Sequence, residues 1–323
     1  MSRNKDSLKY QLRMAAGYSK IRNTNTKHLY GRSFEKFAAW AKTRGIRDVS
    51  EVTAAVIQEF EKALEADPRQ YSAATIHGYL APLCKAAGVP MEEIRKPKRT
   101  AAKIRRSRRK TANQQGKREA EKEENRRLIE FQKAVGIRRS ELARLRGKDL
   151  IREGNQLYVL VERGKGGKRQ KQWILPADRA VVIKAFSGIG PEDPVFSRAE
   201  MANKIDLHAL RAEHARRCYE YYIEMLNRSP RGSERLRKAL LNRFDAEHAK
   251  MREVDPQGFA RKKEKFIADM RNDPYLLRGE NREKAEAAGQ PTEYNRLALL
   301  AVSVYHLSHW RLDVTVTNYL IKG

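Results

Sequence analysis

The sequence predicts a mainly α-helical protein with one small antiparallel β-sheet, arranged as a helical N-terminal domain followed by an α+β C-terminal domain. Three observations carry this expectation. Apolar residues recur at helical spacing over two long stretches, one near residues 24 to 93 and one from residue 126 onward. A dense run of cations with almost no apolar residues separates the two. Only Leu157 to Val161 and Gln172 to Leu175 read as strands. With 323 residues, 40% of them hydrophobic, two domains each have enough apolar side chains for a core.

Residues 1 to 23 are expected to form an N-terminal tail. Across residues 24 to 95, Leu29, Tyr30, Phe34, Phe37 and Trp40, then Val56, Ile57 and Phe60, then Ile76, Tyr79, Leu80 and Leu83 mark three helices. Thr24 or Thr26, Thr53 and Ser72 are their candidate caps. Because these aromatic residues fall on one face of each helix, they read as core and not as platforms for stacking bases.

Residues 96 to 125 form a basic linker, densest at Lys103, Arg105, Arg106, Arg108, Arg109 and Lys110. A charge run alone is usually a solvated connector. The whole chain, however, has 68 Lys and Arg against 40 Asp and Glu, a formal charge of +28. Neutralising phosphates with such a surface releases condensed counterions, so nucleic acid is the expected partner and this linker a candidate phosphate contact. The sign change at Glu119 to Glu124 marks the approach of the next helix.

From residue 126 to 323 the pattern mixes helices with the hairpin. Leu128, Ile129 and Phe131 lead to a corner at Gly136, followed by Ile137, Leu142 and Leu145. The two strands are joined by the glycine-rich loop RGKGGKRQK, a flexible cationic tip. Helices follow from Arg179 to Phe186 and from Leu207 to about Leu226.

Composition also limits the function classes. No stretch approaches the roughly 18 to 20 apolar residues of a spanning helix, and MSRNKDSLKYQL has no apolar signal core, so a cytoplasmic, nucleoid-associated protein without membrane partners is expected. Cys84 and Cys218 stand in unrelated contexts, without the spacing of a zinc site or a disulfide framework. They read as structural thiols. GKGGK lacks the spacing of a nucleotide-binding phosphate loop, which disfavours nucleotide hydrolysis.

Candidate chemistry is found at a few positions. Arg138, at a helix start after Gly136, has the planar donor fork that clamps a phosphate, with Glu141 one turn on to hold it. Alone it would read as a surface arginine in a salt bridge. Lys165 and Lys168 ride the hairpin tip, where a lysine can reach a leaving oxygen, although solvated turn lysines look the same. His208 and Arg211 lie one turn apart, and His214 and Arg217 repeat that spacing. Six residues rotate the second pair by roughly 240°, so one face presents only one pair. His309 and Tyr319 complete the set.

In this order, GIRRSEL, the GKGGK hairpin, HALR, LSH and the tyrosine of VTNYL resemble the tyrosine recombinase (phage integrase) family of site-specific DNA recombinases, over essentially the whole chain. The resemblance implies a SAM-like core-binding DNA domain at 24 to 95 and a catalytic domain at 126 to 323. It also implies Tyr319 as nucleophile, forming a 3′-phosphotyrosyl link. Arg138, Arg211 and His309 would stabilise the phosphate, His208 accept the tyrosine proton and Lys165 protonate the leaving oxygen. The leucine before Arg211 favours His208 and Arg211 over the second pair, where Arg216 fills that place. No metal, ATP or other cofactor is implied. The expected partners are double-stranded recombination sites, three further protomers in a homotetramer, and accessory bending or directionality factors.

Three departures from the family pattern are visible. Between Arg211 and His309 lie far more residues than the family uses, which makes about 227 to 296 a charged, partly helical insertion. Ala212 and Ser308 stand where the family often has histidine and glycine. Only Leu320 to Gly323 follow Tyr319, so protomer contacts are expected elsewhere. Integration and excision of a mobile element is the leading expectation. A resolvase, a type IB topoisomerase-like strand transferase and a DNA-binding protein with a decayed site are the alternatives.

Overall fold

The computed structural model describes residues 7–98, 110–164, 167, 169–229 and 231–321, with the backbone alone at 110–113. Two compact units divide the chain at residues 104 and 105. Within the described residues no helix is long and apolar enough to cross a membrane.

The first unit is a helical bundle of α1 (Leu8–Ala15), α2 (Thr24–Lys42), α3 (Ala54–Glu65) and α4 (Ala73–Ala87). Phe34, Phe37, Ile57, Phe60, Ile76, Leu80 and Leu83 are buried, and the Phe37 and Phe60 rings meet edge to face at 5.2 Å. Thr53 and Ser72 accept the capping bonds of α3 and α4. At α2 the cap is Asn23, whose side chain accepts from Thr26 N–H. The expected tail needs correction. Leu8, Leu12 and Ala16 are buried in this core, so α1 is an integral helix whose apolar face is only two turns long. Leu29 also departs from the expected core, being 40% exposed.

In the second unit, α5 (Lys110–Glu121) occupies much of the expected linker, and a 3₁₀ turn at Glu123–Asn125 leads into α6 (Arg126–Val135). Lys110 is the first residue of α5, while Lys103, Arg105, Arg106, Arg108 and Arg109 lie outside the described residues. Gly136 ends α6 with φ +64° and turns the chain into α7 (Arg139–Leu142). A Cβ there would lie 2.4 Å from the His214 ring, so both conformation and space require glycine.

The sheet has three antiparallel strands, β1 (Leu150–Glu153), β2 (Gln156–Val161) and β3 (Gln170–Trp173), in that order. Sequence pattern missed β1 and placed β3 two residues late. Pairing of Tyr158 with Trp173 and of Val161 with Gln170 sets the hairpin register. Next come α8 (Arg179–Phe186), α9 (Arg198–Met201) and the long α10 (Leu207–Arg228).

The expected insertion folds as α11 (Gly232–Glu247), α12 (Ala249–Val254), α13 (Pro256–Ala268), α14 (Glu280–Ala287) and a two-stranded ribbon, β4 (Tyr275–Leu276) with β5 (Glu293–Tyr294). Its Leu240, Phe244 and Phe266 share one apolar core with α10, α15 (Arg296–Ala301) and the C-terminal segment. That segment runs through a π-helical turn at Val302–His306, α16 (Leu312–Thr315) and a second π turn at Val316–Leu320. His309 follows the first π turn and Tyr319 lies within the second, and such turns often occur where a helix is reshaped for a functional group.

Candidate active site

The site is built around Arg211. Asp206 caps α10 by accepting from the N–H groups of His208 and Ala209, which starts the helix so that His208 and Arg211 fall in its first turns. Arg211 is 1% exposed. Its Nη1 donates to the carbonyl of Gly136 and its Nη2 to that of Leu307 at 2.9 Å. Its Nε faces the Tyr319 hydroxyl at 3.4 Å, across 108 residues of sequence, and one N–H on each Nη is left over for a further acceptor.

Among the described residues no carboxylate forms an ion pair with Arg211. Burial pushes its pKa down, the Tyr319 side chain acting in the opposite direction. A guanidinium withdrawn from water with only neutral partners carries a large desolvation cost, which an incoming anion offsets. Two backbone carbonyls fix its direction beforehand, so the chemistry favoured here is capture of an anion beside a phenol.

Tyr319 is itself 7% exposed and lies between two imidazoles. The His309 ring stacks on it at 5.8 Å between centroids, and the His208 ring lies tilted at 5.5 Å. Arg216 Nη1 donates to the Tyr319 carbonyl at 3.0 Å, tying the π turn to α10.

His309 is oriented by Ser303. The Ser303 hydroxyl lies 3.2 Å from His309 Nδ1 and accepts from the Arg311 N–H at 2.7 Å. If that hydroxyl donates to Nδ1, Nε2 carries the ring hydrogen. Nε2 is buried and has no hydrogen-bond partner. Burial, followed by the charges of Arg211 and Arg138, holds the His309 pKa down to about 3, so the ring is neutral near pH 7.

Arg138 stands at the start of α7 and pairs with Glu141, as the sequence spacing predicts. Its N–H donates to Oε2 at 2.8 Å and its Nη1 to Oε1 at 2.6 Å. Arg138, His208 and Arg211 line one cleft of about 660 Å³. The neighbouring Arg139 is instead held by the carbonyls of Met201 and Ile205 and by the Asn203 side chain.

The repeated pair has a different environment. His214 is buried behind Gly136, and Arg217 donates to Asp178 at 2.6 Å and to the Lys133 carbonyl at 3.2 Å. Of the sequence-predicted site residues, the structure therefore gathers Arg138, His208, Arg211, His309 and Tyr319. Lys165 and Lys168 lie outside the described residues. Sequence reasoning missed Ser303, Arg216 and the two anchoring carbonyls. A backbone carbonyl has no residue signature, and a serine six residues before a histidine is not a recognisable pattern.

No family model and no curated protein matches the chain. Among solved structures it is similar to the XerH site-specific recombinase bound to palindromic difH substrate in a post-cleavage complex, with TM-score 0.42 and 14% identity, covering 68% of this chain and 88% of that one. The pre-cleavage complex of XerH with difH gives 0.41 and 15% over the same shares. The XerA recombinase gives 0.23 and 16%, covering 64% of this chain and 82% of that one.

Proposed function

We propose that the protein is a site-specific DNA recombinase of the tyrosine type, serving integration and excision of a mobile element. The observation that carries the reading is the buried Arg211, without a carboxylate partner, aimed at the Tyr319 hydroxyl. A scissile phosphate entering the cleft gives that cation its counterion and places phosphorus next to the phenol oxygen.

In the proposed reaction, Tyr319 Oη attacks phosphorus, a 3′-phosphotyrosyl ester forms and the 5′ oxygen leaves. The tyrosine proton passes to His208, and Lys165 on the hairpin tip protonates the leaving oxygen. Arg211, Arg138 and His309 Nε2 donate to the non-bridging oxygens, where negative charge crowds in the transition state. One ester replaces another, so the step reverses with a new 5′-hydroxyl and joins the exchanged strands. The +28 charge and the cations at Lys103, Arg105, Arg106, Arg108, Arg109, Lys110 and Lys168 would hold the duplex backbone. The helical first unit would act as the core-binding domain, and four protomers would act on two sites.

The test uses nicked duplexes taken from the DNA that flanks the protein's own gene, followed by denaturing electrophoresis. A covalent adduct is expected with the unaltered chain and none with Tyr319→Phe. Arg211→Ala should lower the adduct rate about 100-fold or more, the usual effect of removing one transition-state donor. Arg217→Ala should keep the adduct and lose stability. Duplex binding with no adduct would leave a binding module only, and an adduct that survives Tyr319→Phe would remove Tyr319 as nucleophile.

A further inference from the structure

We propose that His214, Cys218 and His306 form a buried site for one thiophilic d10 metal ion, zinc(II) or copper(I). Among the described residues they are the group of histidine, cysteine and acidic side chains whose donor atoms converge, all within 4.8 Å of one another. Each of the three residues is fully buried. The sequence treats Cys218 as an isolated thiol, because His306 lies 88 positions away and only the fold brings it to α10.

The hydrogen bonds around the cluster leave one nitrogen of each ring for a ligand. His214 Nδ1 donates to the Lys133 carbonyl at 2.9 Å, which leaves Nε2 a bare lone pair 3.4 Å from Cys218 Sγ. Metal-bound histidines are characteristically held in this way, with the second nitrogen on a carbonyl. A tetrahedral ion with metal–nitrogen and metal–sulfur bonds of about 2.0 and 2.3 Å separates these donors by about 3.5 Å. The pair therefore already stands at ligand spacing. Nε2 of His306 lies 3.2 Å from the Tyr222 hydroxyl; with Nε2–H donating to it, Nδ1 is the second bare lone pair.

His306 Nδ1 is the independent sign that something is missing. It is buried and has no hydrogen-bond partner. A Cys218 S–H donating to His214 accounts for the first pair and still leaves this nitrogen alone, whereas an ion uses all three donors. Burial keeps both imidazoles neutral and so able to ligate, and raises the Cys218 thiol, so the ion must displace its proton. The balanced step is Cys218–SH plus the ion giving the metal thiolate and one released proton. Thiolate and imidazole together select soft or borderline ions over magnesium or calcium. Bound there, the ion would join α10 to the π turn three residues before His309.

The full-length protein, stripped with chelator under reductant, is titrated with cobalt(II) as a spectroscopic stand-in, with zinc(II), and with copper(I) from a chromogenic chelator. One equivalent is expected to bind, with a thiolate-to-cobalt charge-transfer band, release of one proton and a higher melting temperature. Displacement of cobalt by zinc assigns zinc(II); capture from the copper chelator without cobalt binding assigns copper(I). The near-isosteric Cys218→Ser should abolish the band and weaken binding at least tenfold, as should His306→Gln, while Cys84→Ser changes nothing. Absence of saturable uptake of all three ions by the unaltered chain overturns the proposal without reliance on any variant. So does uptake undiminished in Cys218→Ser.

Discussion

Ser308 and Trp310, on either side of His309, both adopt positive φ, at 54° and 60°. An L-residue in this region brings Cβ close to its own carbonyl, at about 1 kcal/mol or more per residue. The cost is borne at the position that aims the candidate phosphate donor, where local strain is a common accompaniment of function. Ser308 stands where the resembled family often has glycine, and the φ value supplies the physical reason for that preference. Ser308→Gly is accordingly expected to raise stability by about 1 kcal/mol in urea unfolding, partly offset by the greater freedom of glycine in the unfolded chain, with adduct formation retained. A drop in stability would show that the Ser308 side chain contributes more than its backbone strain costs. Ser303→Ala makes a complementary prediction. It leaves Nδ1 without its partner, so the His309 ring loses its fixed tautomer and cleavage should slow about tenfold or more, with duplex affinity unchanged. Equal loss of binding and cleavage would place Ser303 in general stability.

At the level of elements, the insertion is part of the site's support. Trp310 packs against Phe244 at 6.0 Å, His248 at 5.3 Å and Phe266 at 5.6 Å, all from α11 and α13 or the turn between α11 and α12. Phe244 and Phe266 stack on one another at 4.7 Å. Burial of the indole offsets the positive φ that Trp310 must hold immediately after His309. Trp310→Ala should therefore cost about 3 kcal/mol in stability and also lower the adduct rate, and Trp310→Phe should restore much of both. Stability loss with an unchanged adduct rate would confine the insertion to bulk packing. Helical periodicity made α2, α3, α4, α8 and α10 legible, and order of motifs made the candidate site legible. It could not reveal this clasp. Aromatics scattered through RSPRGSERLRKALLNRFDAEHAK and the segment after it lie among charges, and their partner Trp310 is distant in sequence. For the same reason α1 was invisible: LKYQLRMA buries only Leu8 and Leu12, too few apolar positions to establish a period. For the two repeated pairs, the helical angle shows that they face different ways, and it is the resemblance, through the leucine before Arg211, that favours the first pair.

For the molecule as a whole, two buried imidazoles, His214 and His306, and the partly buried His309 make acid stability a test of the second unit's core. Burial is the main cause in each case: it holds His214 and His309 down to about 3 and His306 well below its ordinary value, with Arg211 adding to the first two and His214 to the third. The unfolded chain protonates these rings as pH falls through about 6.5, while in the folded chain His214 and His309 do not protonate until near pH 3 and His306 not until well below its ordinary value. Their contribution to stability is thus fully present above the unfolded value. It is lost as pH falls between the two, at up to about 1.4 kcal/mol per group for each pH unit. Buried and partly buried carboxyls oppose this. Asp149, Asp178 and Asp269 have raised pKa values, chiefly from burial, and gain stability on protonation, but they do so only as pH approaches the carboxylate range. Between pH 7.5 and 5.5 the imidazoles dominate. Urea unfolding in EDTA, read through a probe in the second unit such as Trp173 or Trp310 fluorescence, should show a midpoint that falls over this interval. His214→Gln and His309→Gln should each flatten the dependence by removing one proton from the difference, whatever they do to stability at pH 7.5. A midpoint independent of pH from 7.5 to 5.5 would mean that water reaches all three rings in the folded protein, and the dry environment assigned to Arg211 beside them would have to be given up as well.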